Sequence, residues 1–305
     1  MSNLNTSKYP KVSIVIPVYN EGRRLKEVLT SLKRQEYPAD LYEIIVVDNG
    51  SSDRSPQVAR EIEGVRLLFE VEKLGSPYSA RNRGIEASDG NIVALLDSKC
   101  VPVKNWILSS IRTMRERRAD MVGGNVSFKY KENVTPGKIY DAINNLKMEE
   151  YVKERGVAPT CNLFVHRKVF RDIGLFPEGI RSGGDLRWTG NATRKGWKLV
   201  YSPEATVYYP ARSLGPLLQK QFRVAKGQPE IWRKSGTKSV VIRILKHLLK
   251  PISLKEVKEK IDRRGEDFMY DYLWQVWFVH YIVKLMMSMG RLYGMINTSS
   301  GASNS

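Results

Sequence analysis

The chain has 305 residues, 42% of them hydrophobic, with 50 Lys and Arg against 32 Asp and Glu for a formal charge of +18. That composition excludes a disordered or fibrous chain and admits one large α/β domain, alone or with a substantial extension. The charge calls for an anionic partner: nucleic acid, an anionic membrane face or a phosphorylated ligand.

Residues 1–10 read as a tail. Their sequence has no apolar signal core, which predicts a cytoplasmic chain. Residues 11–18, KVSIVIPV, are rich in β-branched side chains and predict a first buried strand that Pro17 closes. A loop, Tyr19-Asn20-Glu21-Gly22, opens a helix whose apolar face is Leu25, Val28, Leu29 and Leu32. Residues 42–47, YEIIVV, predict the second strand, ending in a turn-rich loop, 48–53, with helix-capping residues. A third strand at 65–69 and a helix at 76–87 follow, and then the stretch NIVALLDSKCVP, 91–102. Its apolar run predicts a fourth buried strand, with Asp97 at the carboxyl end, where open α/β sheets bind ligands. Strands alternating with helices predict a mostly parallel, doubly wound, Rossmann-like sheet.

The second half is less regular. Strands are predicted at 121–130, 161–165, 197–201 and 206–209, one helix at 138–154, and another from Asp185 to about residue 195. From residue 214 the character changes: 214–250 carries nine Lys and Arg against one Glu, with Leu217, Leu218, Phe222 and Ala225 at helical spacing. The apolar stretch 268–290 sets Asp271, Gln275, His280, Lys284 and Ser288 in one narrow polar stripe. Such a stripe argues against a simple membrane span. It fits an in-plane helix on an anionic membrane surface, a helix packed in a homo-oligomer, or one covering the core. The polar tail 297–305 is expected to be disordered.

The chemistry gathers at strand ends. Glu21, Asp48 and Asp97 lie at or just beyond three of them and offer acceptors to ribose hydroxyls or a base N–H. Cys100 and Cys161 give neither a disulfide framework nor a metal spacing and read as buried thiols. His166, His247 and His280 have no ligand or triad spacing. Nucleic-acid binding has only the charge in its favour, with no accompanying motif.

Four ordered segments, VSIVIPVYNE (12–21), IIVVDNGSSD (44–53), ARNRGIEASDGNIVALLD (80–97) and SGGDLRW (182–188), resemble the family 2 glycosyltransferases of GT-A fold. The resemblance runs over about 11–210. It implies a GT-A domain at 11–212, with a nucleotide half (11–100) and an acceptor half (101–212), followed by a basic amphipathic helical extension at 213–296. It also implies inverting transfer of a sugar from a nucleotide diphosphate sugar, most simply a UDP-sugar, to a glycan or lipid-linked acceptor in cell-surface polysaccharide or glycolipid synthesis. Pro17, Tyr19 and Glu21 would line the nucleotide pocket, Asp48 would meet the base, and Arg83 would lie beside base or ribose. Asp185 would be the catalytic base. Gly184 and Trp188 would face the acceptor, Trp188 by stacking or merely by packing. Arg223, in a basic segment similar to that of membrane-associated members, would close over phosphate or bind headgroups.

Two positions depart from the family. Its DxD motif opens here with Asp97 but closes with Lys99, and an ammonium cannot ligate a cation. Asp97 and the diphosphate alone could still hold Mg²⁺ or Mn²⁺. Alternatively, Lys99 could bind the diphosphate in place of a metal, or the chain could be an impaired, nucleotide-binding assembly subunit on a membrane. The family's arginine six residues past the base is Asn191 here, with Arg187 and Arg194 nearby.

Overall fold

The computed structural model describes residues 9–74, 76–130, 133–179, 182–234 and 239–300. The strands are β1 (Val12–Val18), β2 (Tyr42–Asp48), β3 (Val65–Phe69), β4 (Ile92–Leu96), β5 (Val101–Pro102), β6 (Met121–Lys129), β7 (Asn162–His166) and β8 (Leu199–Pro210). The first helices are α1 (Gly22–Leu32), α2 (Ser55–Glu61), α3 (Pro77–Glu86), α4 (Trp106–Glu116), α5 (Pro136–Asn144) and α6 (Met148–Arg155). They are followed by α7 (Arg167–Ile173), α8 (Gly184–Arg194), α9 (Leu214–Lys234), α10 (Val240–Leu249), α11 (Leu254–Asp262) and α12 (Leu273–Ser300).

The strands form one sheet in the order β3-β2-β1-β4-β7-β6-β8-β5. Strands β3, β2, β1 and β4 are all parallel, as alternating strands and helices require. Their continuous apolar runs are buried on both faces; Ile14, Val15, Ile45, Val93 and Leu95 have no exposed surface. Strand β7 then enters antiparallel between β4 and β6, which makes the whole sheet mixed. The antiparallel β7 has a direct functional effect: its first residues, not its last, meet the carboxyl end of β4, with Leu96 opposite Asn162.

The chain divides into two compact units. One comprises the described residues up to Lys129 together with Leu146–Pro210; the other comprises Tyr130–Asn145 and the described residues from Ala211 onward. The helix predicted over 138–154 is therefore two helices. Leu146 between them takes a left-handed φ of 51°, which no helix continues through. The core of the second unit includes Ile139, Tyr140 and Ile143 of α5 with Leu217, Val257, Val276, Val279 and Val283. The two short strands predicted at 197–201 and 206–209 are one strand, β8, whose register against β6 shifts between Gly124 and Val126. Helix α12 runs to Ser300, through the start of the tail expected to be disordered; residues 1–8 and 301–305 lie outside the described residues.

Candidate active site

Every group of the site belongs to the first unit, at the carboxyl edge of β1, β2 and β4. The registers place Val18 beside Asp48 and Val15 beside Leu95, so Glu21, Asp48 and Asp97 emerge from one edge of the sheet. At the β2 end, Asp48 is 2% exposed, and its Oδ1 accepts the backbone N–H groups of Gly50 (3.1 Å) and Ser51 (3.0 Å). Gly50 supplies the left-handed φ of 80° that this turn needs. Asp48 Oδ2 is buried with no partner, and so is Oδ1 of Asn49, whose amide is held by the Ser76 carbonyl at 3.0 Å. A buried acceptor without a donor costs about 1–3 kcal/mol, a cost that a donor reaching either oxygen would remove.

The loop after β1 is tied to the same edge. Asn20, at φ 52°, accepts the Ser52 N–H at 2.8 Å, and Asp53 accepts the Gly22 N–H at 3.0 Å. Pro17 is half-buried and aligned with Val47, while Tyr19 projects with 59% of its surface exposed.

After β4, the Cys100 N–H closes a tight turn on the Asp97 carbonyl at 2.9 Å, and Lys99 rides on that turn. Lys99 Nζ lies 3.4 Å from Glu21 Oε1 and 5.8 Å from the centre of the Tyr209 ring. Asp97 Oδ1 accepts from Arg81 Nη2 at 2.7 Å. Arg81 is 5% exposed, while the Asp97 side chain remains partly open to solvent. Arg81 thus reaches the strand-end acid, while Arg83, expected beside base or ribose, is exposed on α3.

One turn earlier on α3, Tyr78 does the same for the second acid. Its hydroxyl donates to Asp185 Oδ1 at 3.1 Å and accepts the Gly184 N–H at 2.9 Å. Burial, and then the charge of Asp185, raise the Tyr78 pKa, so the phenol stays a donor. Asp185 Oδ2 accepts the Thr160 N–H at 3.2 Å. Thr160 is just ahead of β7, beside Cys161, whose carbonyl faces the Asp97 N–H at 3.5 Å. Two side chains at i and i+3 of one helix therefore hold the two acids, and the reversed β7 brings its leading residues between them. Asp185 is half-buried, and its Oδ2 keeps capacity for a further hydrogen bond.

The sequence passes over Tyr78, Arg81 and Thr160 as site residues. Only the three-residue spacing of Tyr78 and Arg81 on a helix opening at a strand end hints at the first two. Trp188 is 3% exposed; its ring lies against Phe170 and Phe176 at centroid distances of 4.7 and 4.9 Å, and its Nε1 donates to the Gly174 carbonyl. Of its two expected roles, packing is the one observed. Gly184 is buried at the start of α8, behind Gly183 at φ 80°. Arg187 and Arg194 are exposed, and Arg223 is exposed on α9 of the second unit. Cys100 and Cys161 are both buried free thiols.

A divalent ion held by protein needs several hard oxygen ligands. Among the described residues no three His, Cys, Asp or Glu side chains are grouped to hold one. At the DxD position, Asp97 shares one oxygen with Arg81, and the second acid is replaced by Lys99. This donor set does not fit a protein-held metal centre.

Known proteins resemble this chain in sequence and in fold. The model of the family described as "Glycosyl transferase family 2" matches residues 13–174. Glycosyltransferase AglE of Haloferax volcanii is 43% identical over 231 residues, 74% of this chain and 76% of that protein. A glucuronosyltransferase of Methanococcus voltae, named for a dolichyl N-acetylglucosaminyl phosphate substrate, is 25% identical over 71% of this chain and 73% of its own. Among solved structures, the mannosyltransferase PcManGT of Pyrobaculum calidifontis, in complex with GDP-Man and Mn²⁺, aligns over 98% of this chain and 77% of its own, with a TM-score of 0.60 at 16% identity. Residues 1–349 of S. aureus TarS with UDP-GlcNAc align over 96% of this chain and 92% of that one, with a TM-score of 0.55 at 18% identity. These two likenesses support the GT-A fold, and with the family match they identify the chain as a member of glycosyltransferase family 2, a GT-A enzyme with a helical C-terminal segment.

Proposed function

We propose that this glycosyltransferase moves a sugar, with inversion, from a UDP-sugar to a hydroxyl of a glycan or lipid-linked acceptor. The observation that carries the reading is the posture of Asp185. Tyr78 and the Thr160 N–H fix its carboxylate, and one acceptor site is left for the attacking hydroxyl. In this reading Asp185 takes the hydroxyl proton as the oxygen bonds to the anomeric carbon. The bond from that carbon to the diphosphate oxygen breaks on the opposite face, and the electron pair leaves with the nucleotide diphosphate.

The buried, unpartnered Oδ2 of Asp48 supports a base-recognition role, since a uracil N–H would satisfy it. The leaving diphosphate gains negative charge as the bond breaks. Lys99 and Arg81, now resting on Glu21 and Asp97, supply the positive charge of this edge. Each cation would exchange a carboxylate for a phosphate oxygen when donor binds, at little desolvation cost because it is already paired.

Replacing Asp185 with Asn tests the reading. Turnover should fall by about 10²–10⁴-fold, the contribution of a general base, while calorimetric UDP binding is retained. Undiminished turnover of an identified donor by the Asp185→Asn enzyme would refute it. Donor binding without turnover by the wild-type chain, across a panel of acceptors, would favour a nucleotide-binding assembly subunit instead.

A further inference from the structure

Helix α12 is apolar on two sides: Val276, Val279 and Val283 face the core of the second unit, and a second row of apolar side chains is exposed. From His280 onward the polar stripe read from the sequence turns inward, while Gln275 on α12 and Asp271 ahead of it are exposed. His280 and Lys284 are each 8% exposed, Ser288 and Arg291 are buried as well, and all four are bonded within the second unit. A further row of apolar residues turns outward. Trp274, Phe278, Tyr281, Leu285, Leu292 and Ile296 recur at helical spacing along the exposed face, and every exposed residue between Phe278 and Ile296 is apolar. Helix α12 has 28 residues, so the stripe follows a helix of about 42 Å. At its start, Trp274 and Phe278 wall an apolar groove of about 830 Å³ with Pro136, Leu214 and Ile282.

Helix α10 buries Val240 and Ile244 and exposes further apolar side chains. Val241, Ile242, Leu245 and Leu249 are exposed, and Arg243, Lys246 and Lys250 stand exposed among them or just after them. Neither α10 nor α12 contains an acidic residue. A contiguous apolar surface on a water-soluble face is unstable unless something covers it.

The charge selects the cover. A second copy would bring its own basic α10 and α9 against these and meet like charge. An anionic bilayer offers an apolar layer for the stripe and negative headgroups for the cations. Aromatic side chains at both ends of the stripe suit the headgroup boundary. No helix among the described residues is long and apolar enough to cross a membrane, so the contact lies in the plane of the surface.

We propose that the outer faces of α10 and α12 dock the chain onto an anionic lipid surface. The surface belongs to the second unit alone, and the inference stands independently of the transfer reading, because lipid binding needs no donor.

The test is flotation of the full chain, without donor, on vesicles of phosphatidylcholine alone and of phosphatidylcholine mixed with phosphatidylglycerol. The chain should float with the mixed vesicles and stay down with phosphatidylcholine. Leu285→Glu should weaken partition about 30-fold, the loss of one buried leucine side chain, with Phe278→Glu as the second variant. Lys246→Ala should weaken it about fivefold. Both apolar sites are exposed, so the thermal transition should stay put in both variants. Failure to float, equal flotation with both vesicle types, or flotation unchanged by both glutamates would overturn the proposal. A dimer in light scattering that Leu285→Glu dissociates, with no effect on flotation, would assign the stripe to a second copy and overturn it too.

Discussion

Tyr78→Phe removes one oxygen and disconnects two groups. The hydroxyl donates to Asp185 and accepts from the Gly184 N–H, and both distances are those of full hydrogen bonds. A hydrogen bond to a charged group contributes about 1.5–3 kcal/mol. If all of it orients the base in the transition state, kcat falls about 10- to 150-fold. KM for the donor should change little, because in the proposed reading the donor's base and diphosphate are met at Asp48, Lys99 and Arg81. The Gly184 N–H becomes a buried donor without an acceptor, which costs about 1–3 kcal/mol of stability and so several degrees of Tm. The assay is steady-state kinetics well below the transition, beside a thermal melt, in wild-type and Asp185→Asn backgrounds. In the Asn background Tyr78→Phe should still lower Tm but no longer affect kcat. A wild-type kcat for Tyr78→Phe, or an equal loss in both backgrounds, would refute a positioning role and leave Tyr78 as packing.

Lys99→Ala should lower UDP affinity, with and without EDTA alike; Lys99→Asp, which restores the second acid of the motif, should make UDP binding depend on Mn²⁺ in calorimetry. An EDTA-sensitive wild type would contradict the reading of Lys99. Gly84→Ala would set a methyl carbon 2.4 Å from Val15 Cγ1 and 3.0 Å from Val47 Cγ2, pushing α3 off the sheet. The expected cost is about 1–3 kcal/mol, read in a denaturant titration, with activity falling because α3 carries Tyr78 and Arg81. Burial lowers the pKa of both His280 and His247 to about 4. The folded helical unit therefore refuses protons that the unfolded chain takes up below about pH 6.5. Stability should decline as pH falls from about 6.5 towards 4, by up to about 1.4 kcal/mol per pH unit for each fully shifted histidine, and His280→Gln should flatten the decline. A pH-independent urea midpoint across that range would count against neutral, buried histidines.

The first four strands and α3 are legible in the sequence because each is a local pattern: an apolar run, a turn, an amphipathic repeat. Strand β3 occupies the span expected, and β1, β2 and β4 come within a residue or two. The second half resists because its structure is set by distant partners. Nothing between residues 138 and 154 announces a break, yet the chain turns at Leu146 and its two halves join different cores. Asp97 and Asp185 could be picked out as acids at a strand end and a helix start. Tyr78, Arg81 and Thr160 could not, because their roles depend on the reversed entry of β7 and on which side of α3 faces inward. The polar residues of α12 were countable in the sequence, but the direction in which they point is a tertiary fact.

Tyr130–Asn145 belongs by packing to the second unit although it interrupts the first in sequence. The chain therefore passes from one unit to the other three times, and the two are not modules that can be cut apart at one place. A truncation after Pro210 would keep the whole sheet and both acids. It would also strip Ile139, Tyr140 and Ile143 of the C-terminal side chains that cover them and present a fresh sticky segment in the middle of the catalytic domain. Shortening this enzyme to its transferase half calls for excising the α5 segment as well, or for substituting those three side chains with polar ones. A simple cut is expected to yield aggregate, however sound the active site that remains.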